Sequence, residues 1–142
     1  MAFDFIRLHS GKQFHILRPR IEEIDIKDIA WALSHLCRFT GHTRRFYSVA
    51  QHCCHVSDLL PKPLQLRGLL HDSSEAYAND IASPVKQYLP QYKELEEKIE
   101  HVIARRFGFR LPYPAALWTA DLTMLVTEMR DLMRFGDYKR LP

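Results

Sequence analysis

Apolar residues recur along the chain with two periods. Over residues 3–17, FDFIRLHSGKQFHIL, Ile6 and Leu8 alternate with polar neighbours, Ser10-Gly11 offers a turn, and Phe14 and Ile16 resume the alternation. This pattern predicts a short β-hairpin, ended by Pro19. The period then becomes helical. Residues 26–38, IKDIAWALSHLCR, carry Ile26, Ile29, Ala30, Leu33, Leu36 and Cys37 at helical spacing behind Asp25 as N-cap, and Gly41 closes the segment. Residues 47–60, YSVAQHCCHVSDLL, place Val49, His52, Cys53, Val56, Leu59 and Leu60 on one face behind Ser48. Pro61 and Pro63 are expected to break the chain there.

A short apolar helix over residues 64–72 and a single turn over SSEAYAND follow, with Ser83-Pro84 as a loop or helix start. Residues 91–107 show a stripe of Leu95, Ile99, Val102, Ile103 and Phe107, with Gly108 placed to end the helix. Pro112 and Pro114 punctuate the chain before a last long helix over residues 115–134. The fold class expected is all-α, one domain over 1–142, with five to seven helices and an N-terminal hairpin.

Composition adds limits. A chain of 142 residues with 46% hydrophobic and 26% charged residues can bury one core. Its net charge of +3 suits a phosphate-bearing ligand but is too small for a nucleic-acid polymer. Three cysteines, Cys37, Cys53 and Cys54, two of them adjacent, read as reduced thiols rather than a disulfide framework. No apolar stretch has the ~20 residues of a membrane span, and no signal peptide is apparent, so a cytoplasmic setting is expected, the host's if the source is viral.

The eight histidines concentrate the chemistry. His71 and Asp72 are adjacent at the end of an apolar helix, so a nitrogen and an oxygen donor can serve one divalent ion. His52 lies on the apolar face of the preceding helix. Asp121 sits within ALWTADLTMLV, where a carboxylate is costly unless paired or metal-bound. Two nitrogens and two oxygens suit zinc, manganese, iron or cobalt. Glu75, three residues beyond Asp72, shares its side if the turn is helical, and Asp80 lies five further on; these two could position water, hold a second ion or bind a sugar hydroxyl. His9, His15, His35, His42, His55 and His101 carry no such setting and read as structural.

The segments YSVAQH at 47–52, LLHDSSEAYANDIASPVK at 69–86 and TADLTMLVTEMRDLM at 119–133 resemble the HD superfamily of metal-dependent phosphohydrolases. The similarity covers nearly the whole chain. It extends to the small bacterial and phage nucleotide hydrolases, including the phage branch of dATP triphosphohydrolases. The resemblance implies a compact HD helical fold and a divalent transition metal (Zn, Co or Mn, with Mg as an additional ion) on His52, His71, Asp72 and Asp121. It implies a catalytic role for Glu75 and a substrate or second-ion role for Asp80. Arg38-Phe39 is the nearest match to the Arg-Trp pair that binds phosphate and base in the bacterial relatives, with Phe39 in place of Trp.

Arg38, Arg44, Arg45 and Lys86 are candidates for phosphate contacts, and Phe39 for stacking on a base. The expected activity is hydrolysis of dATP or another dNTP to deoxynucleoside and triphosphate, the Arg44-Arg45 pair favouring the longer tail. A 5′-deoxynucleotidase acting on dNMPs is the alternative, and a metal-binding module without turnover is a third reading that Glu75 argues against. Relatives form dimers or hexamers, so a homo-oligomer is expected, burying aromatics such as Tyr88, Tyr92 and Tyr113 between subunits.

Overall fold

A computed structural model describes residues 4–134. Strands β1 (Phe5–Arg7) and β2 (Gln13–His15) pair antiparallel with Ile6 opposite Phe14, the register the alternation requires. The turn between them is tied to the helical body, because the backbone N–H and hydroxyl of Ser10 both donate at 2.7 Å to the buried carboxylate of Asp28. A 3-10 turn over Ile21–Glu23 leads into α1 (Ile26–His35), whose N-cap Asp25 accepts from the Lys27 N–H as its position suggested.

Helix α1 stops three residues earlier than the periodicity implied. Cys37 leaves the helix to bridge Ser48 across an extended crossing, and a 3-10 turn over Arg38–Gly41 follows. Within that turn Phe39 and Thr40 both have φ of 54°, a left-handed conformation that side chains with a Cβ seldom adopt, and for β-branched Thr40 a clear departure. Helix α2 (Val49–Asp58) then begins behind Ser48, whose hydroxyl accepts from the Gln51 N–H.

One expectation fails at the end of α2. Leu59 falls outside the helix and is exposed, so only Leu60 turns inward. The break expected at Pro61 and Pro63 falls between Asp58 and Lys62: Pro61 caps α3 (Lys62–Leu70) and Pro63 occupies its first turn, where a missing N–H costs nothing, so α3 starts two residues before the expected 64 and ends short of His71 and Asp72. Single turns α4 (Glu75–Ala78) and α5 (Ser83–Lys86) separate α3 from the two long helices, α6 (Pro90–Phe107) and α7 (Ala115–Leu132). Gly108 ends α6 at φ 74°, the left-handed cap its position predicted.

The fold is therefore all-α with a small hairpin. Helix α2 lies between two apolar clusters. On one side Val49 and Cys53 pack with Phe14, Ile29, Tyr77 and Ile103; on the other Val56 packs with Leu60, Tyr113 and Leu117. Tyr113, expected at a subunit surface, is instead buried in this second cluster, and Tyr92 is half-buried with its hydroxyl donating to the Asn79 carbonyl, whereas Tyr88 is fully open. Among the described residues no helix is long and apolar enough to cross a membrane.

Candidate metal centre

His52 occupies the middle of α2 and is fully buried, with neighbouring helices on either side. His71 follows the last residue of α3, and Asp72 lies in the turn beyond it. Asp121 enters from α7, at the second turn of that helix. Three separate elements thus bring their donors to one point.

The donor atoms lie close together. His52 Nε2 is 3.3 Å from His71 Nε2, 3.6 Å from Asp72 Oδ2 and 3.1 Å from Asp121 Oδ1. His71 Nε2 is 3.3 Å from Asp72 Oδ2 and 3.8 Å from Asp121 Oδ1. Nitrogen and oxygen ligands about 2.1 Å from a tetrahedral ion stand about 3.4 Å apart, and the observed separations bracket that spacing. His52, His71 and Asp72 could hold a metal ion, and Asp121 Oδ1 lies beside both histidines.

The other ring nitrogens are committed to the protein. His71 Nδ1 lies 2.7 Å from the Gly68 carbonyl, which can only accept, so Nδ1 carries the proton and Nε2 faces the centre. His52 Nδ1 lies 2.6 Å from Glu128 Oε1, with the same consequence. Such partners fix the tautomer and ring orientation that a metal-ligating histidine needs.

Glu128 was not singled out in the sequence. It is buried on α7, seven residues and two turns beyond Asp121, and also accepts from the Tyr47 hydroxyl at 2.8 Å and from Arg38 Nε at 3.1 Å. The available signal was the spacing: a second carboxylate on the Asp121 side of a helix otherwise rich in apolar residues.

The charges in this cluster adjust to one another. Burial alone would raise the Asp121 carboxyl, but hydrogen bonds from His52 and His71 more than offset it and hold the group well below its ordinary value. Glu128 is lowered in the same way, against burial, by His52 and Arg38. Burial opposes protonation of both histidines, yet the surrounding carboxylates raise both.

A cavity of about 340 Å³ opens beside the donors, lined among others by Arg38, Asp72, Glu75, Asp80, Lys86 and Glu100. Glu75 is buried, and its Oε2 has no hydrogen-bond partner among the described residues. Burial, reinforced by Asp72 and Asp80, pushes its carboxyl far above the normal range. Asp80 reaches the cavity because Asn79, at φ 73° and ψ 160°, reverses the chain after α4. Lys86 is shared by Glu96 at 2.8 Å and Glu75 at 3.8 Å.

Three of the expected substrate contacts stand elsewhere. Arg44 and Arg45 line a separate hollow with Asp131 and Leu132, where the Arg44 backbone N–H and guanidinium both donate to carbonyls at the end of α7. The left-handed turn at Phe39 sends the chain away from the centre, so Phe39 is not among the cavity-lining residues and lies under the Arg38 guanidinium at 5.4 Å. Arg38 is retained in the cavity wall, braced between Asp72 at 3.6 Å and Glu128. Of the remaining histidines, His15 contacts Glu23, His9 stacks on Trp31 and His55 on Tyr47.

The sequence is 46% identical over 128 residues to the uncharacterized protein YfdR of Escherichia coli, an alignment covering 90% of this chain and 72% of YfdR. It is 30% identical over 145 residues to an uncharacterized protein of Rhodobacter capsulatus, covering 92% of this chain and 74% of that one. No protein-family model matches the chain.

Proposed function

This chain belongs to the same family as Escherichia coli YfdR, and from its convergent histidine and aspartate donors we propose that it is a metal-dependent phosphohydrolase acting on deoxynucleotides. The observation that carries the reading is the set of donor separations among His52, His71, Asp72 and Asp121, opening onto a cavity that holds both cations and free carboxyl oxygen. A divalent ion on those four residues supplies Lewis acidity, lowering the pKa of water and neutralising phosphoryl charge.

The chain's own residues do the rest. Arg38 and Lys86 carry the cavity's positive charge and orient the phosphate, although each is shared with carboxylates. Glu75 holds a proton at the unpartnered Oε2, where it can pass to the departing ester oxygen as phosphorus gains the oxygen of water and loses that of the sugar. Asp80 is placed to accept from a sugar hydroxyl.

The reading of first choice is a dNTP triphosphohydrolase, dATP included, releasing deoxynucleoside and triphosphate. A 5′-deoxynucleotidase is favoured by one specific observation: Arg44 and Arg45, the cations that recommended a long phosphate tail, line a different hollow. A cavity of about 340 Å³ is also at the small end for a ligand site.

The test is incubation of the purified chain with each dNTP and dNMP and Mn²⁺, Co²⁺, Zn²⁺ or Mg²⁺, with products resolved by chromatography. Deoxynucleoside from dATP with little turnover of dAMP supports the first reading, and turnover of dNMPs alone supports the second. Asp72→Ala is expected to abolish turnover and metal binding together; an active, metal-free Asp72→Ala protein sinks both. Metal binding without turnover of any nucleotide leaves a metal-binding module.

A further inference from the structure

Helix α7 turns three residues toward the candidate centre. Trp118, Asp121 and Leu125 all line the cavity, at spacings of three and four that put them on one side of the helix. Among the described lining residues, Ile81, Trp118 and Leu125 are apolar and the others are charged or polar. Trp118 is the one aromatic in that wall. It stands at the mouth, 53% exposed, one turn from a carboxylate of the donor cluster.

The indole is held in place. Tyr113, buried in the second apolar cluster, meets it at right angles, with ring centroids 5.9 Å apart and planes at 88°. A perpendicular neighbour can cover at most one face of the indole, so the other stays open. Glu100 lies at the same end of the cavity, since after burial its charge does most to raise the Tyr113 phenol. A fixed aromatic plate beside a carboxyl group suits a flat heterocycle with a hydrogen-bonding edge. Because the plate is already oriented, little further ordering is needed when a ligand stacks on it.

We propose that Trp118 is the platform on which the base of a nucleotide stacks, an inference that rests on the deoxynucleotide reading of the centre. The division of the cavity selects this ligand. Arg38, Lys86 and the donor cluster can take phosphate and sugar, but they offer nothing to the apolar faces of a base. A volume of about 340 Å³ that is filled by sugar and phosphate leaves the base at the mouth, where Trp118 stands. Asp121 is three residues further along α7, about 4.5 Å along the helix axis. A sugar bridges that interval, with its 5′-phosphate at the donors and its base on the indole. Phe39, the aromatic the sequence suggested for this task, is absent from the cavity wall, and Trp118 supplies the ring from the last helix instead.

The experiment uses the full chain carrying Trp31→Phe, which leaves Trp118 as the reporter of the two tryptophans. Trp31 stacks on His9 and is not part of the cavity wall. Trp118 fluorescence is followed as dAMP, dATP or 2-deoxyribose 5-phosphate, which has no base, is added, once with Zn²⁺ and once with EDTA. Quenching by a nucleotide but not by the sugar phosphate is expected. In calorimetric titration, Trp118→Ala is expected to bind that nucleotide roughly ten- to a hundredfold more weakly, the range of stacking losses on alanine substitution. Its affinity for the sugar phosphate stays that of the wild type, and Trp118→Phe recovers most of the lost nucleotide affinity. A nucleotide that binds without changing Trp118 fluorescence overturns the inference and leaves the hydrolase reading standing. Equal weakening of nucleotide and sugar phosphate in Trp118→Ala also overturns it, because the residue would then only shape the pocket. Quenching with no turnover under any metal keeps the platform and removes the hydrolase. No binding of either nucleotide in either condition overturns the platform too.

Discussion

His52 and Glu128, 76 residues apart in sequence, are joined by a 2.6 Å contact between Nδ1 and Oε1 inside the protein. The same carboxylate takes the Tyr47 hydroxyl and the Arg38 guanidinium, so one buried charge aligns a candidate ligand histidine, the start of α2 and a wall of the cavity. Glu128→Gln preserves the shape but removes the charge and can present its amide N–H to His52 instead of an acceptor. The expected result is a metal affinity 10- to 100-fold weaker, in the range seen for partners that orient ligand histidines. Glu128→Ala also strands Arg38 and Tyr47 and is expected to cost about 3 kcal/mol of stability. Metal titration and urea unfolding check the two effects; unchanged affinity in Glu128→Gln would remove Glu128 from the centre.

The centre and its support differed in how readable they were. His71-Asp72 was legible because adjacent donors need no fold to bring them together, and Asp121 because a carboxylate in an apolar run demands a partner. Asp25, Ser48 and Gly108 were legible as caps because capping is decided within four residues. Glu128 was not, since its partners come from the 38–52 region and only the tertiary fold supplies them. Arg44 and Arg45 misled for the same reason: a basic pair has a direction only once the chain has turned, and consecutive left-handed residues at Phe39 and Thr40 turn it away. Pro61 and Pro63 were legible as a break because proline is excluded from a helix interior, and both fit the start of the next helix.

Gly68 joins the centre to the packing of α3 on α2. A Cβ there would lie 2.5 Å from Leu60 Cδ1 and 3.1 Å from the Ser57 backbone, and the Gly68 carbonyl receives His71 Nδ1. Gly68→Ala is expected to gain helix propensity but lose more to overpacking, a net destabilisation of about 1–3 kcal/mol. Because α3 must move away from α2, metal affinity falls as well. Urea unfolding with and without metal measures both. A stabilised variant with native affinity would show that the two helices have slack.

Glu100 lines the cavity from α6, and burial, reinforced by Glu96 and Asp72, pushes its carboxyl up to about 7 from 4.5. Between those values the folded chain binds a proton that the unfolded chain does not. Stability from this group is therefore present at low pH and lost as pH rises through about 7. After a discount for partial exposure the loss is roughly 1–2 kcal/mol. In metal-free protein, Glu100→Gln is expected to match the wild type at pH 4.5 and exceed it by that amount at pH 8. Parallel urea midpoints at the two pH values would show that Glu100 ionises normally.

Asn79 places Asp80 in the cavity from a backbone conformation, φ 73° and ψ 160°, that belongs essentially to glycine. Three hydrogen bonds hold it there: its N–H to the Glu75 carbonyl at 2.8 Å, its side-chain oxygen from the Asp80 N–H at 3.0 Å, and its carbonyl from the Tyr92 hydroxyl at 2.7 Å. Asn79→Gly removes only the side-chain bond and relieves strain of about 1–3 kcal/mol, against up to about 1 kcal/mol of added chain entropy. The expected outcome is unchanged or slightly higher stability. Asn79→Val keeps the strain, adds β-branching and loses the same bond, so it is expected to fall by about 2 kcal/mol or more. If the turn at Asn79 is what delivers Asp80, the glycine variant retains turnover and the valine variant loses it. Equal destabilisation by both would mean that the asparagine side chain, rather than the backbone it tolerates, holds this corner.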